Sequence, residues 1–577
     1  MIDIRERQAR TAAQFSRDLH PILQRIYAAR GVGDDAQLQL ELAGLLPPQL
    51  LHIDRACTLL CEMLERQAPV LIVGDFDADG ATSCALAVSG LRAMGLRQVD
   101  YLVPNRFDYG YGLTPELVDV AAARQPALIV TVDNGISCHA GISRARALGI
   151  KVLVTDHHLQ GATLPEADCI LNPNQGGCAF PSKALAGVGV VFYLLVALRG
   201  RLRELGWFAR QGIPEPRLAD YLDLVALGTV ADVVPLDQNN RRLVRHGLQL
   251  IRAGRCRPGV TALLEASNRN PATVVASDLG FGAGPRLNAA GRLDDMSLGI
   301  ECLLAQDPLH ARQLAQQLDT LNQDRRQIER GMQDEALALL EAANLDIGGA
   351  RRSVCLFDAN WHQGVIGILA SRLKDRLHRP VIVFAAASEA ELKGSARSIG
   401  GIHIRDMLER VASRHPGLIG RFGGHAMAAG LSLARDSFAP FCDALEQVLQ
   451  DEVEAEVLEP RRYCDGNLPR DCLTLEFAEL LREGGPWGQH FPEPTFLGEF
   501  TVCTRRVLAE KHLKLVLQVP GTNDLVDAIA FNQDAPLLAD TRDAVSLLYR
   551  LDVNEFRGQR QLQLQIEHLE FLDPSPS

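Results

Sequence analysis

Three carboxylates at alternate positions, Asp75, Asp77 and Asp79, follow the apolar run Val70-Leu71-Ile72-Val73 and precede Gly80. A short apolar run rich in branched residues reads as a buried strand, and the apolar stretch from about Ala81 to Met94 reads as the helix after it. Open α/β sheets bind ligands beyond the carboxyl ends of their strands. Anions crowded there repel one another unless a cation lies among them, and oxygen ligands suit Mg²⁺ or Mn²⁺. The cluster therefore reads as half of a metal site, against the plainer alternative of a solvated acidic turn.

Two other acidic motifs fit less well. An EF-hand loop needs a helix before it and Glu at its twelfth position, where this chain has a strand and Leu86. A haloacid-dehalogenase-type Asp-x-Asp needs Thr or Val two residues after its second Asp; Asp77 is followed at that distance by Asp79, and Asp79 by Ala81.

The surrounding elements place further ligands on the same edge. Helical and strand patterns alternate from about residue 49: helix 54–66, strand 70–75, helix 81–94, strand 99–103, helix 115–123, strand 127–132, helix 138–148 and strand 151–155. Such alternation predicts a parallel, doubly wound sheet. Asp133 closes one strand as Val132-Asp133-Asn134-Gly135, and Asp156-His157-His158 closes the next. Imidazole beside carboxylate favours Mn²⁺ over Ca²⁺. Asp232 ends the apolar run 224–231 just before Pro235, where a buried unpaired carboxylate would be costly; Asp223 reads as a cap or a solvent-facing acid. Asp79 could cap its own helix or join the site.

These four ordered motifs, Asp75-Phe76-Asp77-Ala78-Asp79-Gly80, Val132-Asp133-Asn134-Gly135, Asp156-His157-His158 and Gly228-Thr229-Val230-Ala231-Asp232, resemble those of the DHH phosphoesterase superfamily. The resemblance covers nearly all of the chain from about residue 50. It implies a 5′→3′ exonuclease on single-stranded DNA, active in repair and recombination, with two Mn²⁺ or Mg²⁺ ions held by Asp75, Asp77, Asp133, His157 and Asp232. It implies His158 and Asp156 as catalytic partners, His158 at the phosphate or leaving oxygen and Asp156 orienting the histidines. Some relatives carry a metal-ligating His two residues before the first Asp, where this chain has Val73, so one ion would have fewer protein ligands. Arg286 and Asn288, in the run Gly284–Leu293, are expected on a Gly-rich loop that contacts phosphate. Two α/β lobes, DHH and DHHA1-like, joined by a long helix are expected, with an OB-type β-barrel after them.

The expected domains are a helical N-terminal segment 1–48, a catalytic domain 49–265, a helical connector 266–350, a nucleic-acid-binding domain 351–455 and a barrel 456–577. In the fourth, Ser395 and Arg397 follow Lys393-Gly394, and Gly423, Gly424 and His425 read as a turn whose backbone approaches an anion ahead of a helix. Arg106, Ser395 and Arg397 match the resemblance's 5′-end pocket. The barrel strands are read near 496–507, 513–519, 525–531, 544–554 and 561–568, with Phe496, Phe500, Phe531 and Tyr549 either stacking on bases or filling the core.

Composition narrows the class. At 577 residues, with 47% hydrophobic and 23% charged residues, the chain should hold several globular domains. A net charge of −12 argues against coating nucleic acid through a global field, though not against a local basic groove. The N-terminus lacks an apolar signal core, no run reads as transmembrane, and the 13 scattered cysteines read as reduced thiols, so a cytoplasmic protein without membrane contact is expected. The resemblance implies single-stranded DNA as partner, with a single-strand-binding protein and a helicase beside it. The alternatives weighed are a phosphatase or oligonucleotidase on short nucleotides and a metal-free replication scaffold of the same superfamily.

Overall fold

The computed structural model describes residues 3–10, 12–105, 108–342, 351–556 and 558–573. Arg5–Asp319 and the segment from Tyr463 onward form one compact unit; Thr320–Arg462 with the extreme N-terminus form the other. The division falls within the helix Pro308–Ala342, the long helix read from the sequence. Among the described residues no helix is long and apolar enough to cross a membrane.

The N-terminal segment is not helical over most of its length. It holds the strand β1 (Asp3–Glu6), one helix, Pro21–Ala29, and two 3-10 turns, Asp35–Leu38 and Leu42–Gly44. Side chains of the helix Gln238–Arg252 satisfy the backbone here instead. Arg241 donates to the Gln37 carbonyl (3.3 Å), Arg242 to Gln39 (3.4 Å) and His246 to Leu40 (2.9 Å), while Leu46 N–H donates to Asn239 (3.2 Å). A backbone satisfied from outside needs no intrahelical bonds.

The first unit is built on a parallel sheet: β2 (Val70–Val73), β3 (Val99–Leu102), β4 (Leu128–Val132), β5 (Lys151–Thr155) and β6 (Cys169–Leu171), in the order β3-β2-β4-β5-β6. Helices cover both faces. Leu71, Val73, Ile129 and Val152 cluster with Leu117, Val118 and Ile142 from helices Pro115–Ala122 and His139–Ala147. Ile72, Val130 and Val132 meet Leu60, Ala87, Leu91 and Val191 from helices Ile53–Arg66, Ala78–Ala93 and Gly187–Glu204. The strand order reverses at β2, which puts the ends of β2 and β4 at the switch point where such sheets bind ligands.

The run Gly284–Leu293, expected to be a loop, is a helix continuing from a π-turn, Leu279–Ala283. Its glycines serve close packing, since a Cβ on Gly291 would stand 1.7 Å from the Phe76 carbonyl oxygen. This helix and Ser297–Leu304 pack against Ala78–Ala93 and belong to the first unit, so most of the segment expected as connector is part of the catalytic layer.

The second unit carries β7 (Val354–Phe357), β8 (Val381–Ala386), β9 (Glu391–Arg397), β10 (Arg421–Gly424) and β11 (Ala428–Ala434), in the order β10-β11-β9-β8-β7. Its core gathers Phe384, Leu392, Leu408, Phe441 and Leu445. Within this unit Glu329 of the long helix accepts from Arg372 at 2.9 Å, and Glu335 accepts the Trp361 indole N–H at 2.8 Å. Gly423 and Gly424 do not form a turn before a helix: they lie in β10, and the next helix, Phe438–Glu452, begins after β11. Gly424 has φ +143, and a Cβ there would meet the Ala428 carbonyl oxygen at 2.4 Å, so it is strand pairing that requires this glycine.

After β12 (Arg461–Cys464), the strands β13 (Phe496–Leu508), β14 (His512–Gln518), β15 (Leu525–Ala530), β16 (Ala544–Phe556) and β17 (Gln559–Phe571) close a barrel in the order β13-β14-β15-β17-β16. Phe496, Phe500 and Tyr549 fill its core, whereas Phe531 is exposed. The barrel segment is joined to the N-terminal segment by buried polar and aromatic contacts. Arg30 pairs with Asp465 at 2.7 Å with both side chains 1% exposed, and Arg7 reaches the same carboxylate at 3.0 Å. Tyr27, Trp487 and Phe491 stack beside them, and the Arg241 guanidinium lies 4.2 Å from the Phe491 ring centre.

Breaking a buried ion pair by deleting one partner costs about 3–5 kcal/mol. Arg30→Ala should therefore lower the urea midpoint of the first unit, and a chain ended after residue 455 should be destabilised as a whole. An unchanged midpoint in both would mean that the barrel is an independent appendage.

Candidate metal centre and substrate site

The site begins with the turn after β2. Asp75 accepts the N–H of Phe76 at 2.7 Å, and Asp77 caps the helix Ala78–Ala93 by accepting the Gly80 N–H at 3.0 Å. Gly80 is required because a Cβ there would stand 2.4 Å from the Asp75 carbonyl oxygen. Asp79 points inward from the first helical turn and is buried. It caps another helix, accepting Gly187 N–H at 2.6 Å and Val188 N–H at 2.9 Å, both in the first turn of Gly187–Glu204.

Asp133 takes the left-handed conformation, φ +62, directly after β4. A Cβ on Gly187 would lie 2.6 Å from the Asp133 Cβ, so that glycine makes room for the carboxylate. Asn134 fastens the same turn by donating to the carbonyls of Val73 (3.2 Å) and Val132 (2.9 Å). Asp156 accepts the N–H groups of Ile136, His157 and His158 as well as the His158 ring at 2.8 Å. Asn172 and Asn174, beyond β6, donate to the carbonyls of His158 and His157 at 2.8 and 2.6 Å.

These elements converge. His157 Nε2 lies 3.1 Å from Asp133, 3.5 Å from Asp232 and 3.9 Å from Asp79. Three overlapping groups, Asp75–Asp77–Asp133, Asp133–His157–His158 and Asp79–His157–Asp232, each bring potential ligand atoms within 4.8 Å of one another. Asp133 is common to two of them, and so is His157. The donors fit Mn²⁺ or Mg²⁺ by charge and by chemistry. Asp133 Oδ1 and Asp232 Oδ2 are buried atoms without a hydrogen bond among the described residues. Burial first, and then neighbouring carboxylates, raise Asp133 and Asp232 well above the usual carboxylate range and Asp79 to about 7. His158 is raised to about 9: burial opposes its charge, but Asp156, Asp75 and Asp77 outweigh that.

The remaining expected residues fall in three places. Asn288 reaches the acidic turn from outside, accepting the Ala78 N–H at 2.8 Å. Arg286 does not face the cluster as a phosphate contact: it is buried, donating to the carbonyls of Gly282 and Ala266 and pairing with Asp319 at 2.6 Å. Asp223 is buried against Arg257 at 2.6 Å, neither solvated nor part of the site. In the second unit, Arg397 donates to Ser395 Oγ at 3.1 Å, and both lie 2.9 Å from where a Cβ on Gly367 would be, in the first turn of Ile366–Leu377. His425 N–H pairs with Ala428 in the hairpin beside Gly423 and Gly424. Arg106 lies outside the described residues.

Sequence reading missed Tyr111, whose hydroxyl lies 3.5 Å from His158 Nε2 and whose ring meets Phe76 edge-on at 6.0 Å. Its setting in Tyr109-Gly110-Tyr111-Gly112, between two positive-φ glycines, was the available signal.

Three segments match described families: residues 69–229 the DHH family N-terminal domain, 351–451 the DHHA1 domain and 464–568 the RecJ OB domain. Over 96% of both chains, the sequence is 58% identical to the single-stranded-DNA-specific exonuclease RecJ of Dickeya dadantii. The chain belongs to the RecJ family. The crystal structure of Thermus thermophilus RecJ in complex with Mn²⁺ is similar at 30% identity and TM-score 0.77, covering 96% of this chain and 76% of that one. The same organism's RecJ in complex with Mg²⁺ gives 27% identity and TM-score 0.71 over 96% and 75%. In this RecJ-family chain Asp75 follows β2, Asp77 and Asp79 open the helix Ala78–Ala93, Asp133 follows β4, His157 and His158 follow β5, and Asp232 closes the helix Leu222–Ala231, all in one unit.

The raised carboxylates give a pH test. A carboxyl held above its unfolded value binds protons in the folded state, so metal-free stability falls as pH rises from about 4 toward 7. A cation removes that penalty. Mn²⁺ should therefore raise the melting temperature more at pH 7.5 than at pH 5.5, as read by calorimetry on EDTA-treated protein. Equal shifts would place the cation elsewhere.

Proposed function

We propose that this chain is a metal-dependent 5′→3′ exonuclease that hydrolyses phosphodiester bonds of single-stranded DNA, with Mn²⁺ or Mg²⁺ as cofactor. The observation that carries the reading is the sharing of Asp133 and His157 among the overlapping ligand groups at the switch point of a parallel sheet. Asp75, Asp77, Asp133, His157 and Asp232 would hold the ions, with Asp79 beside them. When bound, the ions supply Lewis-acid stabilisation of charge developing on the scissile phosphate.

The chain's own groups do the rest. Asp156 favours the protonated form of His158 and fixes its ring through the 2.8 Å contact at Nδ1. That leaves Nε2 to hydrogen-bond the phosphate or to give a proton to the leaving 3′ oxygen. Tyr111 flanks the same nitrogen. Ser395 and Arg397, beside the first turn of Ile366–Leu377, would offer a hydroxyl, a guanidinium and a helix N-terminus to a terminal 5′ phosphate. Gly423, Gly424 and His425 present a hairpin edge for the backbone of the strand. A single-strand-binding protein and a helicase would deliver the substrate in the cytoplasm during repair and recombination.

Digestion of 5′- and 3′-labelled oligonucleotides, single- and double-stranded, with Mn²⁺, Mg²⁺ or EDTA tests the reading. Mononucleotides should be released from the 5′ end of single strands only, and EDTA or Asp133→Ala should slow this about a hundredfold or more. Near-parental activity of Asp133→Ala would remove the metal assignment.

Directionality has its own test. Arg397→Ala should slow degradation of 5′-phosphorylated strands far more than of 5′-hydroxyl strands. Equal slowing on both would make Arg397 a general backbone contact.

A further inference from the structure

The helix Gly284–Leu293 carries no group that the proposed chemistry uses, yet it touches the first acidic turn at two points. Asn288 Oδ1 accepts the Ala78 N–H at 2.8 Å, and Gly291 permits an approach to Phe76 that any Cβ would block, at 1.7 Å from its carbonyl oxygen. Arg286 anchors the helix from within. Its guanidinium donates to the Gly282 carbonyl at 2.8 Å and to Ala266 at 3.1 Å, and pairs with Asp319 at 2.6 Å. Asn288 is therefore held by a buried, cross-braced element, as a group that sets geometry must be.

What it sets follows from the bonding at the start of the helix Ala78–Ala93. The first N–H groups of a helix have no partner within it. Asp77 is the N-cap, and its Oδ1 accepts the Gly80 N–H at 3.0 Å. Ala78 N–H is the first of these donors, directly after Asp77, and the Asp77 carboxylate is the acceptor closest to it in sequence. Asn288 takes that donor with a neutral amide oxygen. Asp77 thus has Oδ1 on the Gly80 N–H, while its carboxylate also lies within 4.8 Å of ligand atoms of Asp75 and Asp133. A carboxylate at position 288 would do the same bonding but add charge to a cluster already strained by repulsion.

We propose that Asn288 is a positioning residue for the metal centre: by occupying the Ala78 N–H, it holds the Asp77 carboxylate in the orientation that binds a divalent cation. The proposal rests on the metal-dependent function above and adds to it a residue that acts through the backbone of the acidic turn.

The test is titration of full-length, EDTA-treated protein with Mn²⁺ alone by isothermal calorimetry, with the KM for a single-stranded oligonucleotide measured in parallel. Removing partners that orient metal ligands typically costs tenfold to a hundredfold in metal affinity. Asn288→Ala should weaken Mn²⁺ binding about tenfold or more, leave the KM for DNA near the parental value, and regain turnover as Mn²⁺ is raised. Asn288→Asp keeps the acceptor and should bind Mn²⁺ far more tightly than Asn288→Ala. If Asn288→Ala does not fold, Asn288→Ser, whose hydroxyl is too short to reach Ala78, should show the same loss. An unchanged Mn²⁺ isotherm overturns the proposal, and a raised KM with intact Mn²⁺ binding would assign Asn288 to phosphate instead. Failure of the unaltered protein to bind Mn²⁺ would defeat the proposed function itself, and this inference with it.

Discussion

Mutual repulsion among buried carboxylates governs this molecule. Asp79, Asp133 and Asp232 are drawn together around His157, and burial and like charge push all three toward their neutral forms. Left to itself, such a cluster would spread into solvent. It persists because each acid is fastened by backbone geometry. Asp79 is gripped by two amides of a helix N-terminus, Asp133 is held in a left-handed turn under Gly187, and Asp77 caps its own helix. A divalent cation would supply further counter-charge to this cluster.

The supports around this cluster are chosen with charge in mind. Asn134, Asn172, Asn174 and Asn288 make the hydrogen bonds that shape its turns, and each is neutral. An acid in any of these places would deepen the repulsion, and a base would compete with the cation. Asp156 is the exception, and its net preference for the charged form comes from the His158 ring and three backbone N–H groups overcoming its burial. Its charge is spent on fixing the His158 ring.

Around that centre the chain is organised differently from its order in sequence. The barrel and the N-terminal segment are stitched together through Arg30, Asp465 and a stack of Tyr27, Trp487 and Phe491, and both belong to the unit that holds the acids. The aromatic loop before the barrel is thereby spent on packing. The second unit keeps its own core and its own cluster of Ser395, Arg397 and Gly367.

Much of this was legible in the sequence. Alternating strand and helix patterns, acids at the ends of β2, β4 and β5, and five barrel strands all follow from local periodicity, because burial on one face or two imposes a repeat that a short window reveals. What periodicity could not say is which partner each polar group meets. Glycine-rich stretches read as anion-binding loops became a helix packed on Phe76 and a strand paired with β11, because a missing Cβ permits close approach as readily as it permits a turn. Segment 1–48 reads as helical, but around residues 37–40 side chains of the helix Gln238–Arg252 supply bonds that a helix would make for itself. Sequence alone puts Arg286 and Asn288 together on a loop that contacts phosphate. The fold turns the first inward to Asp319 and sets the second against Ala78, since their partners come from distant parts of the chain. The sequence by itself determined which residues could bind a metal and on which sheet edge they lie; only the tertiary structure decided which side chains hold them there, because hydrogen-bond partners are chosen by proximity in space.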